Sequence, residues 1–262
     1  MSRFLSLAWT FLRVGVLNEM QYRINFFIQL LQSLIALATG LIGLALVFDH
    51  TDALGGWSRP ELLAVMGVHI LMGGVIRSAI QPNMQRLMDE VRDGTLDFAL
   101  TKPADAQVIV SVREFRLWQL VDVIMGLVVM GLAIAQIREN VGLMEGLGFA
   151  AALLMGGVMI YCFWLILTST TFWIVRADEM VNLFEGVYAA GRWPVGIYPE
   201  WLRASLTFLV PVAFAVTVPA EALTGRLTET TLWGAAGLTM LLLLVTRVVW
   251  QLGLRNYSGA SA

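Results

Sequence analysis

The stretch "INFFIQLLQSLIALATGLIGLALVF", Ile24–Phe48, carries no charged side chain. A helix crosses the hydrocarbon core of a bilayer with ~20 predominantly apolar residues, and this run is longer than that. The whole composition agrees with it. Of 262 residues, 58% are hydrophobic and 14% charged, and the mean hydropathy is +0.75, whereas soluble domains hold about 45–50% apolar and about 25% charged residues. A soluble domain of this length would need polar side chains to cover its core, and too few are present. Lipid is therefore the expected solvent.

Working outward from that run, the chain reads as one membrane domain over residues 1–262, all-α and polytopic, with six transmembrane helices at about 24–48, 61–81, 117–137, 144–167, 170–192 and 231–251. "DHTDALGGWSRP" (49–60) separates the first two spans with acids, paired glycines and a proline. Arg77 lies near the end of the second span, and Pro82 kinks or ends it. Asp122 is the one charge in the third. Gly146 to Val175 is uncharged, yet one helix of that length would measure about 45 Å against a core of about 30 Å, so it holds span four and the start of something else. The fifth span has two readings. Either it runs 170–192 despite Arg176, Asp178, Glu179 and Glu185, or those residues lie outside and Ala204 to Ala220 crosses instead, its prolines tolerated as they are in membranes.

Charge sets the orientation. With both termini cytoplasmic, the first reading places twelve of the 17 basic residues inside, as the positive-inside rule requires. The second reading also moves Arg192 and Arg203 inward, so this rule mildly prefers it. In residues 1–22, Arg3, Ser6, Thr10 and Arg13 fall on one helical face and Phe4, Leu5, Ala8, Trp9 and Leu12 on the other, the pattern of an interfacial helix lying along the bilayer. Arg13 interrupts the apolar stretch and no small-residue cleavage site follows, so this segment is expected to be retained rather than removed as a signal peptide.

Several functions are excluded by what is missing. A net charge of −2 gives no broad basic surface for nucleic acid. The single cysteine, Cys162, allows neither an intrachain disulfide nor a Cys-x-x-Cys metal site. Two histidines, His50 and His69, with no H-E-x-x-H and no G-x-S-x-G, assemble no catalytic or metal set, and no cofactor is expected on this chain. A phosphate-binding loop needs a glycine-flanked lysine, but the one lysine, Lys102, sits between Thr101 and Pro103. If ATP drives this protein, the nucleotide and its Mg sit on another subunit.

The polar residues concentrate in "EVRDGTLDFALTKP" (Glu90–Pro103), between spans two and three and on the cytoplasmic side. Asp93–Gly94 marks a turn. Thr95, Leu96, Phe98 and Leu100 place apolar side chains among the charges, which suits a peg docking in a cleft of a partner, apolar anchors supplying affinity and charges orientation. A solvated connector is the plainer reading.

"GGWSRPELL", "VRDGTLDFALTKP", "WPVGIYPEWLR" with "PVAFAVTVPAEALTG", and the ending "GLRNYSGASA" occur in that order around six spans, and together the chain resembles a permease subunit of the ABC-2 class of ABC transporters over nearly its whole length. The resemblance implies a half-transporter in the bacterial cytoplasmic (inner) membrane that dimerises with a second copy or a related permease, each with a separate ATP-binding cassette subunit docked beneath it. It implies a coupling helix at about Met88 to Pro103, with Arg92, Asp93, Gly94, Leu96, Asp97, Phe98, Leu100, Lys102 and Pro103 meeting the ATPase. It also implies a short extracellular re-entrant hairpin between spans five and six, matching "PEWLRASLTFLVPVAFAVTVPAEALTG", which favours the first reading of span five. The exported compound would be a lipid, a glycan or a hydrophobic molecule.

Under that arrangement Asp178, Asn182 and Glu185 share a face of span five and line the route or the dimer seam, unless Asp178 and Glu179 simply sit at the interface beside Arg176. Gln29, Gln32 and Ser33 in span one contact substrate or bond neighbouring helices. Asp122 is expected to pair with Arg77 or Arg116 rather than relay protons. The competing classes are an ion- or proton-coupled secondary transporter, motivated by Asp122, Asp178 and Glu185, and a non-transporting membrane scaffold.

Overall fold

A computed structural model describes residues 23–137, 142–173 and 178–257, so the interfacial helix expected at 1–22 lies outside the described residues. Among those described, the fold is helical throughout and contains no strand. The order is α1 (Arg23–Phe48), α2 (Arg59–Val75), a π-helical turn (Ile76–Ile80), α3 (Gln81–Arg92), α4 (Asp97–Leu100), α5 (Ala106–Ser111), α6 (Leu120–Gln136), α7 (Leu143–Ser169), α8 (Asp178–Ala190), α9 (Glu200–Ala204), α10 (Val218–Leu223) and α11 (Glu229–Asn256). Among the described residues, five helical stretches are long and apolar enough to cross a membrane, namely Ile24–Phe48, Arg59–Arg92, Leu117–Gln136, Leu143–Phe172 and Glu229–Asn256. A bent pair, Glu200–Leu209 with Ala213–Leu223, makes six if it counts as one span.

The second stretch does not stop at Pro82. A proline there cannot donate to the carbonyl four residues back, Ser78 O, and an unfilled carbonyl inside a membrane protein is costly. The backbone N–H of Arg116 fills it instead, at 2.9 Å. The helix thus passes through a π-turn and Pro82 and continues to Arg92. It ends at Gly94, whose φ of 68° lies in the left-handed region that glycine enters without a side-chain clash.

Close packing of α2 on α6 depends on missing side chains. A Cβ on Gly126 would stand 2.5 Å from the Leu71 backbone nitrogen, and one on Gly67 would stand 2.9 Å from that of Met130. In lipid, where hydrophobicity does not drive helices together, such backbone approach is what holds them. The lipid-facing parts differ sharply in cover. Arg59–Arg92 is 67% buried over its most apolar window, whereas Ile24–Phe48 is 17% buried.

The region expected to hold span five comprises a 3-10 turn at Thr170–Phe172 and the 13-residue α8, with residues 174–177 between them outside the described set. Phe184 of α8 packs on Trp164 of α7 with ring centroids 4.8 Å apart, and Tyr188 stacks on His69 of α2. Beyond α8, Ile197 lies against Gly55. The chain then runs through the bent pair, whose limbs meet at 79° around the buried Pro211. It returns to the same end of the bundle, where Arg226 bonds Glu61 at 2.8 Å and the Gly56 carbonyl at 2.8 Å and covers the Trp57 ring.

Candidate functional site: an intramembrane polar cleft and a braced connector

Two groups of polar side chains stand out. The first lies inside the spans. Asp122, at the start of α6, would be an isolated charge in an apolar helix, a costly state unless it is paired. The π-turn inserts an extra residue into the helical repeat and holds Arg77, whose Nη2 reaches Asp122 Oδ2 at 2.6 Å. Arg116, the other expected partner, bonds Gln85 instead. From α1, Ser33 Oγ donates to Asp122 Oδ1 and Gln29 Nε2 donates to Oδ2 at 3.3 Å. Gln119 Nε2 donates to Gln29 Oε1 at 3.0 Å. Together with Gln32, His69 and Arg192 these residues line a cleft of about 300 Å³.

Some polar atoms of the cleft remain unused. His69 is held by its stacking on Tyr188, centroids 4.5 Å apart, and the Tyr188 hydroxyl donates to the His69 carbonyl at 2.7 Å, yet His69 Nδ1 is buried without a partner. Of the sequence candidates, Gln29, Gln32, Ser33 and Asp122 meet here. The α8 candidates do not line it. Asn182 and Glu185 are exposed, Glu185 accepting from Gln81 at 3.2 Å, and Asp178 stands at the first position of α8.

The second group lies between α3 and α6. Arg113 donates through both terminal nitrogens to Glu90, Nη1 to Oε1 at 2.8 Å and Nη2 to Oε2 at 2.7 Å, the planar fork that gives Arg–carboxylate pairs their geometry. Arg86 bonds Glu90 at 3.0 Å and also Glu114. Beneath them the buried Asn83 accepts from the backbone N–H of Arg113 and Glu114, at 2.8 and 2.9 Å, and donates to the Glu114 carbonyl at 2.7 Å. Further along, Arg247 of α11 bonds Asp105 at 2.7 Å, and Ser111 of α5 bonds the Tyr161 hydroxyl of α7 at 2.8 Å. The connector is therefore tied to three helices, α3, α7 and α11.

At the connector's tip, Phe98 is 77% exposed and Leu96 is 0% exposed. Arg92, Asp93, Lys102 and Pro103 are exposed, and Gly94, Asp97 and Leu100 are half-buried. Sequence reasoning did not single out Asn83, Glu90 or Arg113, since polar residues in a polar stretch raise no flag. An Asn one turn after a π-turn is a signal only once the helix is known to continue past Pro82.

Among the described residues the helical bundle has five stretches, or six with the bent pair, long and apolar enough to cross a membrane, the architecture of a multi-pass membrane protein. The chain belongs to the family described as "ABC-2 family transporter protein", which matches residues 34–261. No curated protein and no solved structure matches it. Members of this family are membrane components of transport, and the chain is a multi-pass membrane protein.

Proposed function

We propose that this chain is the permease subunit of an ATP-driven exporter, dimerising in the bacterial cytoplasmic membrane with both termini inside, and coupled to a separate ABC ATPase that holds ATP and Mg. The observation that carries the reading is the connector. Its α3–α4 turn presents Phe98 outward, while Leu96 beneath it and the Glu90–Arg113 fork make a lever stiff enough to pass a push into α2 and α6. A loose linker would absorb the push. Arg92, Asp93, Gly94, Asp97, Leu100, Lys102 and Pro103 frame Phe98 as the docking face.

The same logic supports a re-entrant hairpin on the outer side. Both ends of the 197–226 segment meet the loop before α2, at Gly55 and Gly56, so a path that enters the bilayer and comes back fits better than a crossing. The paired state of Asp122 speaks for a packing role over a proton relay. Asp178, Asn182 and Glu185 then fall to the dimer seam, with lipid or the second permease covering α1.

The test is coupling. In the reconstituted complex with its ATPase, Phe98→Ala combined with Asp93→Arg is expected to lower transport per ATP hydrolysed by about tenfold, the loss of one apolar anchor and one orienting charge. Unchanged transport and unchanged stimulation of the ATPase would refute the docking assignment.

A further inference from the structure

The cleft has more positive charge than its own carboxylate can balance, and a groove for a tail adjoins it. Arg77 is matched to Asp122. Arg192, also in the wall, has no carboxylate at ion-pair distance among the described residues. His69 lies ten positions into the helix that begins at Arg59, about 15 Å from that end, so the cleft is at membrane depth. Arg192 is half-buried there, so an anion beside it is screened less than in open water, and His69 Nδ1, without a partner among the described residues, adds a second polar group in the same wall.

The same α1 helix borders an apolar groove of about 510 Å³ against α6, between Leu37, Leu41, Met125, Val128 and Leu132, with Arg59 at its far end. Leu37 lines both the cleft and the groove. The two are thus neighbours on either side of one side chain, one polar with a surplus cation and one lined by hydrocarbon.

We infer that the molecule handled at this site is an amphiphile with an anionic head group, phosphate or carboxylate, its head against Arg192 and Arg77 and its tail in the α1–α6 groove. This rests on the permease reading above and names its substrate class. Arg192, with no carboxylate partner among the described residues, disfavours cationic amphiphiles, and a bare anion lacks the burial that the groove supplies.

Binding to the purified permease alone tests this without any ATPase, so a failure here and a failure of coupling are separate results. Dodecyl phosphate, dodecyltrimethylammonium, dodecanol and inorganic phosphate are compared by thermal-shift titration in a neutral detergent. Dodecyl phosphate is expected to bind about tenfold or more tighter than the matched cation, in keeping with one charge-assisted hydrogen bond. Arg192→Gln should erase that preference, Arg192→Lys keep part of it, and Arg255→Gln, on the exposed end of α11, keep all of it. Equal binding of the two charged probes, retention of the preference in R192Q, or inorganic phosphate competing as well as dodecyl phosphate would each overturn the assignment. Should R192Q fail to fold, the matched-probe comparison on the native protein decides alone.

Discussion

The connector and the cleft are both built from arginines and carboxylates, but their charges do not balance in the same way. Around Asn83 two arginines, Arg86 and Arg113, face two carboxylates, Glu90 and Glu114. In the cleft two arginines, Arg77 and Arg192, face one carboxylate, Asp122. The balanced set satisfies itself and serves as a brace, because a closed network fixes geometry whatever else is bound. The cleft set leaves Arg192 without a carboxylate among the described residues, which is the feature on which the proposed anion site rests.

Breaking the brace should have the largest effect. The Arg113 side chain is 6% exposed, and Arg113→Ala leaves the half-buried Glu90 carboxylate with Arg86 as its one arginine partner, so the expected cost is at the low end for a broken buried pair, about 3 kcal/mol, with Arg113→Lys recovering only part because an ammonium cannot reproduce the fork. Denaturation of the purified permease, followed by intrinsic fluorescence, reads this directly. Breaking the pair in the cleft should cost less. Asp122→Asn leaves Arg77 without a counterion, but Arg77 keeps 38% of its side-chain surface open, so about 2 kcal/mol is expected rather than the about 3–5 of a fully enclosed pair. If R113A and D122N proved equally mild, the distinction between brace and cleft would lose its footing.

The smallest effect sharpens the comparison at the connector's edge. The hydrogen bond from Arg247 holds the Asp105 carboxyl below the usual carboxylate range. The folded value lies under the unfolded one, so the pair's contribution is present at neutral pH and fades as pH falls from the ordinary carboxylate range through that lowered value. Both side chains are largely exposed, which limits the gain to under about 1 kcal/mol. Asp105→Asn should remove that part of the acid sensitivity and leave stability at high pH slightly lower. A mutant whose acid-unfolding profile matches the native one would show that the α5–α11 tie carries no stability.

Legibility followed the cost of a mistake. Asp122 was readable as a paired residue because a charge within an apolar helix must find a partner, and only Arg77 and Arg116 were near in register. Which of them it takes depends on the π-turn at Ile76–Ile80, on Pro82 and on the diversion of the Arg116 N–H to Ser78. None of these has a sequence period of its own. Leu96 and Phe98 are both apolar in a polar stretch, and the sequence treats them alike. The turn at Gly94 turns one inward and the other out.

The sequence by itself determined the solvent, the helical class and the approximate places of the apolar runs, since each follows from composition or from spacing along one helix. The tertiary structure decided that Gln29, Ser33, His69, Asp122 and Arg192 share a cleft, that Asn83 ties 113–114 to α3, and that Arg192 meets no carboxylate among the described residues. Those are relations between residues separated by up to 163 positions, Gln29 to Arg192. They arise only when glycines such as Gly126 let helix backbones approach closely enough for the side chains between them to be sorted into pairs and a remainder.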